Sequence, residues 1–109
     1  MAGKVFAGPA LNLREVEVKA EVTAFLKRLG WRTWSTSDGR PSRNTKGLPD
    51  MWAMHPSGRP PFFIEVKSET GKPSPEQLEF AALCHHAGTG YVLGGIVQVQ
   101  DYLKKIGVL

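Results

Sequence analysis

The sequence predicts an α/β domain in which a mixed central sheet is flanked by helices, with elements in the order α-β-β-β-α-β-α. Three observations predict it. Apolar residues recur at helical spacing early in the chain, three short runs of aromatic and β-branched residues follow one another between turn-forming segments, and a well-capped helix separates those runs from a fourth.

The first helix is read from about Leu13 to Leu29, where Val18, Val22, Phe25, Leu26 and Leu29 keep the helical period, and it ends at Gly30. Residues 1–12 are expected to form a loosely held arm. Trp31-Arg32-Thr33-Trp34-Ser35-Thr36 alternates as a strand does. The stretch from Ser35 to Gly47 is dense in turn formers and reads as a long loop, a feature often tied to function in compact domains. Met51 to His55 is the next strand, turned by Pro56-Ser57-Gly58-Arg59-Pro60 into Phe62 to Ser68, so the two form a hairpin. In Ser74-Pro75-Glu76-Gln77 the serine suits the N-cap, the proline the first helical position and the glutamine the reciprocal capping-box position, which starts a helix running from Pro75 to His86. Tyr91 to Gly94 is a further strand and Val99 to Ile106 a short closing helix.

A chain of 109 residues with 41% hydrophobic content has material for one core, and residues 1–109 are read as a single domain. The lone cysteine, Cys84, excludes an internal disulfide and a multi-cysteine zinc site; its apolar surroundings predict a buried thiol in a reducing, cytoplasmic setting. No apolar run approaches the roughly 20 residues that span a bilayer, and the first residues are too few and too polar for a signal peptide. Fourteen Lys and Arg against ten Asp and Glu give a net charge of +4, which favours a polyanionic partner such as nucleic acid. Arg32, Arg40, Arg43 and Lys46 crowd the loop region with only Asp38 opposing them. Arg40, Arg43 and Lys46, with Lys72, are candidate phosphate contacts, which give affinity without reading sequence.

The chemistry concentrates where the apolar run Phe62-Phe63-Ile64 ends in Glu65-Val66-Lys67. Burying charge is costly unless it is paired or holds a metal. Alternation puts Glu65 and Lys67 on one face, ~7 Å apart, and Phe62, Ile64 and Val66 on the other. Pro49 marks Asp50 as a strand entry. In a hairpin the start of one strand lies beside the end of the next, so Asp50, Glu65 and Lys67 should converge at one edge of the sheet. Two hard carboxylates with open positions suit Mg²⁺, and a lysine beside them can position or deprotonate water and neutralise phosphate charge. Together these parts perform phosphodiester hydrolysis.

With these motifs in this order the chain resembles the VRR-Nuc domain of the PD-(D/E)xK nuclease superfamily. The resemblance runs from the helix containing Glu17 through Gly30-Trp31, Gly47-Leu48-Pro49-Asp50, Phe63-Ile64-Glu65-Val66-Lys67-Ser68 and Ser74-Pro75-Glu76-Gln77. It implies a restriction-endonuclease-like fold and a nuclease in which Asp50 and Glu65 bind Mg²⁺ or Mn²⁺, Lys67 assists the water and the Val66 backbone carbonyl is a further ligand. It also implies a carboxylate from the first helix. Glu15, Glu17 and Glu21 are available; counting back from Gly30-Trp31 selects Glu17, with Glu21 one turn on as the alternative. Gln77 matches a glutamine at the start of the family's second helix, a role compatible with capping. Small stand-alone members are often viral, which implies the cytoplasm of a bacterium or phage-infected host, branched or four-way-junction DNA as partner, and a homodimer with two cleavage sites.

Other residues are read more plainly. His85 and His86 point roughly 100° apart on a helix and would not grip one ion together. His55 sits at a strand end, and Trp31, Trp34 and Trp52 are assigned to the core rather than to base-stacking. Two rival functions remain. An inert DNA-binding or regulatory module is opposed by the intact Asp50, Glu65 and Lys67, and a restriction-type enzyme would need recognition elements for which the chain has little space.

Overall fold

In the computed structural model the elements are α1 (Ala7–Arg28), β1 (Arg32–Ser35), β2 (Met51–Met54), β3 (Phe62–Val66), α2 (Pro75–Ala87), β4 (Gly90–Gly94) and α3 (Ile96–Lys105), in the predicted order. It describes residues 7–36 and 46–109, the side chains of residues 7–13 excepted. Arg40 and Arg43 lie outside the described residues.

The strands form one sheet in the order β1-β2-β3-β4. β1 pairs with β2 and β2 with β3 antiparallel, whereas β3 pairs with β4 in parallel. The sheet is therefore mixed, the hairpin is present, and α2 is the crossover that a parallel pair requires. The register sets Met51 opposite Ile64 and Ile64 opposite Val92, so these residues share a face with Ala53, Phe62 and Val66. Val18, Val22 and Leu26 of α1 and Val99 and Leu103 of α3 close over that face, with Trp31, to make the core. Leu26, Ile64 and Leu103 are wholly buried, and cutting any of them to alanine should cost ~2–5 kcal/mol. The opposite face carries Trp34, Trp52, Phe63 and Tyr91 in register across all four strands. There α2 packs on β4, and its Phe80 ring meets those of Phe63 and Tyr91.

Three expectations change. The first helix begins at Ala7, so residues 7–12 are helical rather than part of an arm. Pro9 falls in the first turn, where backbone N–H groups have no intrahelical acceptor to lose. The last helix begins at Ile96, three residues early, because the Gln98 side chain accepts from the Gly95 N–H at 2.8 Å and stabilises a start that glycine alone would leave weak. Of the tryptophans, Trp31 is core, edge-on to Phe62 and His55, but Trp34 is 40% exposed and Trp52 half-buried. Cys84 is buried as predicted, and burial pushes its thiol pKa up. Among the described residues no helix is long and apolar enough to cross a membrane.

Candidate active site

The approach to Asp50 is fixed by glycine. Gly47 has φ +86 and runs so close to the first turn of α2 that a Cβ there would stand 2.6 Å from the Glu76 carbonyl oxygen. Pro49 follows, fully buried. Thr36 then clasps both sides of the turn: its N–H donates to the Asp50 carbonyl at 2.9 Å and its hydroxyl to the Pro49 carbonyl. Held in this way, Asp50 accepts the Val66 N–H on Oδ2 at 2.8 Å. The carboxylate thus caps the end of β3. Because β3 is an interior strand, the convergence foreseen at one edge of the sheet falls at the end of its centre instead.

Glu65 is only 3% exposed. Its Oε2 accepts from Gln77 Nε2 at 2.9 Å and lies 4.0 Å from the Lys67 ammonium, while its Oε1 is buried without a hydrogen-bond partner. Gln77 does two things at once. Its Oε1 accepts from the Ser74 N–H and its own N–H donates to the Ser74 hydroxyl, which completes the capping box, and its amide then points at Glu65. Burial raises the Glu65 pKa first; the neighbouring Asp50 carboxylate adds to the shift, Lys67 opposes it, and the result is about 8 against an ordinary 4.5. Glu15 contributes a further upward push. Tyr91, on the same face, has a buried hydroxyl without a partner, and burial followed by the Glu65 charge lifts its pKa to about 12. Nothing in the sequence singled out Tyr91, because one tyrosine in a strand looks like any other.

The helix carboxylates are arranged differently from the expectation. Glu17 is exposed and sits 3.8 Å from the Arg14 guanidinium, so it is not brought to the cluster. Glu21 is exposed and lines a cleft of about 490 Å³ whose other walls include Arg14, Lys67, Ser68 and Gly95. Glu15 is half-buried and lies over Gly71, where an added Cβ would be 3.1 Å from its Oε2 and 3.4 Å from Lys67 Cδ. Lys46 and Lys72 are exposed; Lys46 borders α2 beside Glu76, Glu79 and Phe80. His85 and His86 are exposed, and His55 is held by the Leu29 carbonyl and the Ser57 N–H.

A hard cation fits this donor set. Among the described residues no three His, Cys, Asp or Glu side chains stand together as a ready-made cage. Mg²⁺ does not need one, since it is held by one or two carboxylates and keeps several waters. A buried, unpartnered carboxylate oxygen beside a second carboxylate is the arrangement that such an ion would relieve.

No family model matches the sequence, and none of the curated proteins is detectably similar to it. Two solved structures are similar. A VRR_NUC domain shares 26% identity at a TM-score of 0.66, with 84% of this chain and 95% of that one covered. Hjc, a Holliday junction resolvase from the archaeal hyperthermophile Archaeoglobus fulgidus, shares 17% identity at a TM-score of 0.51, with 72% of this chain and 64% of that one covered. The second likeness is one of fold, and this chain spans just under two thirds of that resolvase. The resemblance carried by the motifs is therefore matched in three dimensions: the chain has a restriction-endonuclease-like fold, and its structural neighbours are a VRR_NUC domain and a junction resolvase, both nucleases of PD-(D/E)xK type.

Proposed function

We propose that residues 1–109 act as a divalent-metal-dependent endonuclease that hydrolyses phosphodiester bonds in branched or junction DNA in the cytoplasm, as a homodimer. The observation that carries the reading is Glu65, buried between Asp50 and Lys67 with one carboxylate oxygen unpartnered. Asp50, Glu65 and the Val66 carbonyl would hold Mg²⁺ or Mn²⁺. Glu15, rather than Glu17, is the helix carboxylate we assign to the site, acting across water because it does not join Asp50 and Glu65 in one cage. When bound, the ion supplies Lewis acidity and makes water a stronger acid at neutral pH.

The side chains supply the rest. The Val66 N–H fixes the Asp50 carboxylate and the Gln77 amide fixes Glu65, so neither has to reorganise when substrate arrives. Lys67, 4.0 Å from Glu65, can exchange a proton with the attacking water or neutralise charge gathering on the scissile phosphate. Lys46 and Lys72, with Arg40 and Arg43, would grip flanking phosphates. Junction DNA is favoured by the likeness to a resolvase, and two cleavable strands are best met by two sites about a two-fold axis.

The test is a cleavage panel of single-stranded, duplex, flap and four-way-junction DNA with Mg²⁺, Mn²⁺ or EDTA. Wild type should cut branched substrates with either metal and none in EDTA. Asp50→Asn should be inactive and bind Mg²⁺ weakly; Lys67→Ala should bind metal and DNA while turnover falls by ~10²–10⁴. Normal cleavage by Asp50→Asn would overturn the assignment of the site to Asp50, and binding without cleavage by wild type on every substrate would leave the inert DNA-binding module as the function.

A further inference from the structure

The face of the sheet that bears Asp50 and Glu65 also bears an aromatic row. Trp52 lies two residues after Asp50 on β2, and Phe63 two before Glu65 on β3, so alternation puts all four on one side. From Phe63 the row runs away from the crossover helix: its ring stacks on Trp52 at 6.3 Å and 21°, and Trp52 meets Trp34 at 5.7 Å. The α2 side chain Phe80 covers the Phe63 end. At the other end Trp34 is 40% exposed on the edge strand, with the Arg32 guanidinium 5.4 Å from its ring centre and Met54, also 40% exposed, across the ladder.

Trp34 and Met54 together leave the open end of the aromatic row as an apolar patch on β1 and β2, and the chemistry around it distinguishes among partners. A guanidinium over one face of the ring, which can stack with a base in its turn, a net charge of +4 and direct continuity with carboxylates suited to a phosphodiester all favour a nucleobase over an apolar protein surface. Bases inside an intact duplex keep their faces stacked on one another. Only an unpaired or splayed base can offer its face to an indole.

We infer that Trp34, backed by Trp52 and flanked by Arg32, is a stacking platform for an unpaired DNA base next to the branch point. The inference rests on the nuclease reading and supplies what that reading lacks, a physical means of telling branched DNA from duplex. The strand whose phosphate lies at Asp50 and Glu65 continues along the row, and its first unpaired base stacks on Trp34.

The experiment compares affinity, in EDTA so that nothing is cut, for two flap oligonucleotides that differ only in whether the unpaired positions at the branch carry bases or abasic sites. Wild type should prefer the base-bearing flap about 10-fold, with its tryptophan emission quenched on binding. Trp34→Ala should lose the preference and Trp34→Phe should keep most of it; the phenylalanine variant and the wild-type quenching decide the matter even if the alanine variant folds poorly. Equal affinity of wild type for the two flaps, or an undiminished preference in Trp34→Ala, would overturn the platform. So would light scattering in which Trp34→Ala splits a dimer, since the face would then belong to a second copy. Cleavage with Mg²⁺ is measured beside these: wild type that cuts but shows no base preference sinks the platform alone, whereas wild type that shows the base preference but cuts no substrate sinks the nuclease reading by itself.

Discussion

Glu65 keeps its proton in the metal-free protein up to about pH 8, because burial and the neighbouring Asp50 outweigh the attraction of Lys67. The sign of the stability effect follows. Between the ordinary 4.5 and about 8 the folded chain holds a proton that the unfolded chain has released, so stability is full below pH 4.5, falls as pH rises through that window, and is level above it. Thermal melting in EDTA should show a lower Tm at pH 8 than at pH 5.5, and Glu65→Gln should flatten that slope. Mg²⁺ should restore the wild-type Tm at pH 8 but leave Glu65→Gln little changed, since an ion that binds only the folded state stabilises by mass action. A second prediction separates the helix carboxylates. Glu15 lies three, seven and eleven residues before Val18, Val22 and Leu26, so it is on the buried stripe of α1, whereas Glu17 is turned about 160° away from it. Glu15→Gln should lower cleavage at least about tenfold. Glu17→Gln should stay close to wild type in the same assay. Helical phase puts Glu15 on the buried stripe, a property that counting from Gly30-Trp31 does not measure, since it gives distance along the chain and not the direction of the side chain.

Elements were legible wherever a local rule decided them. Ser74, Pro75 and Gln77 start α2 at the predicted residue because cap, fixed φ and reciprocal hydrogen bond agree. The β2–β3 hairpin followed from two apolar runs around one turn, and it brought Asp50 to the end of β3. What local rules could not supply was the fourth strand's place beside β3, which makes that strand interior and buries Glu65 from both sides. Nor could they show that Gln77 would serve both the cap and the carboxylate, since only packing brings α2 over Glu65. Gly47 gives the element-scale prediction. Its positive φ and its approach to the Glu76 carbonyl leave no space for a methyl group, so Gly47→Ala should push the Pro49-Asp50 turn away from α2. We expect a Tm lower by roughly 4–8 °C for each kcal/mol lost and, with Asp50 displaced, weaker Mg²⁺ binding by calorimetry.

At the scale of the whole molecule, affinity for DNA should come from charge spread over the basic segment of the sequence. Replacing Arg40, Arg43 and Lys46 with alanine should weaken binding to every DNA and flatten the logarithmic salt dependence by up to about 0.9 per phosphate contact removed. A titration at several salt concentrations with unchanged slope would take the loop out of the binding surface. The loop's composition predicts a polyanion contact; the anchoring of its first end was not legible, because Thr36 looked like the last residue of a strand. In the structure Thr36 donates to the Pro49 and Asp50 carbonyls, tying the end of β1 to the Pro49-Asp50 turn. Two hydrogen bonds from Thr36 thus hold the Pro49-Asp50 turn independently of the contact that Gly47 makes with α2. Closing a longer excursion costs little, ~0.6 kcal/mol for each doubling of length. Descendants of this chain could therefore lengthen, shorten or recharge the segment while inheriting the same Pro49-Asp50 turn; under the proposed function, the clasp would make target choice an interchangeable part.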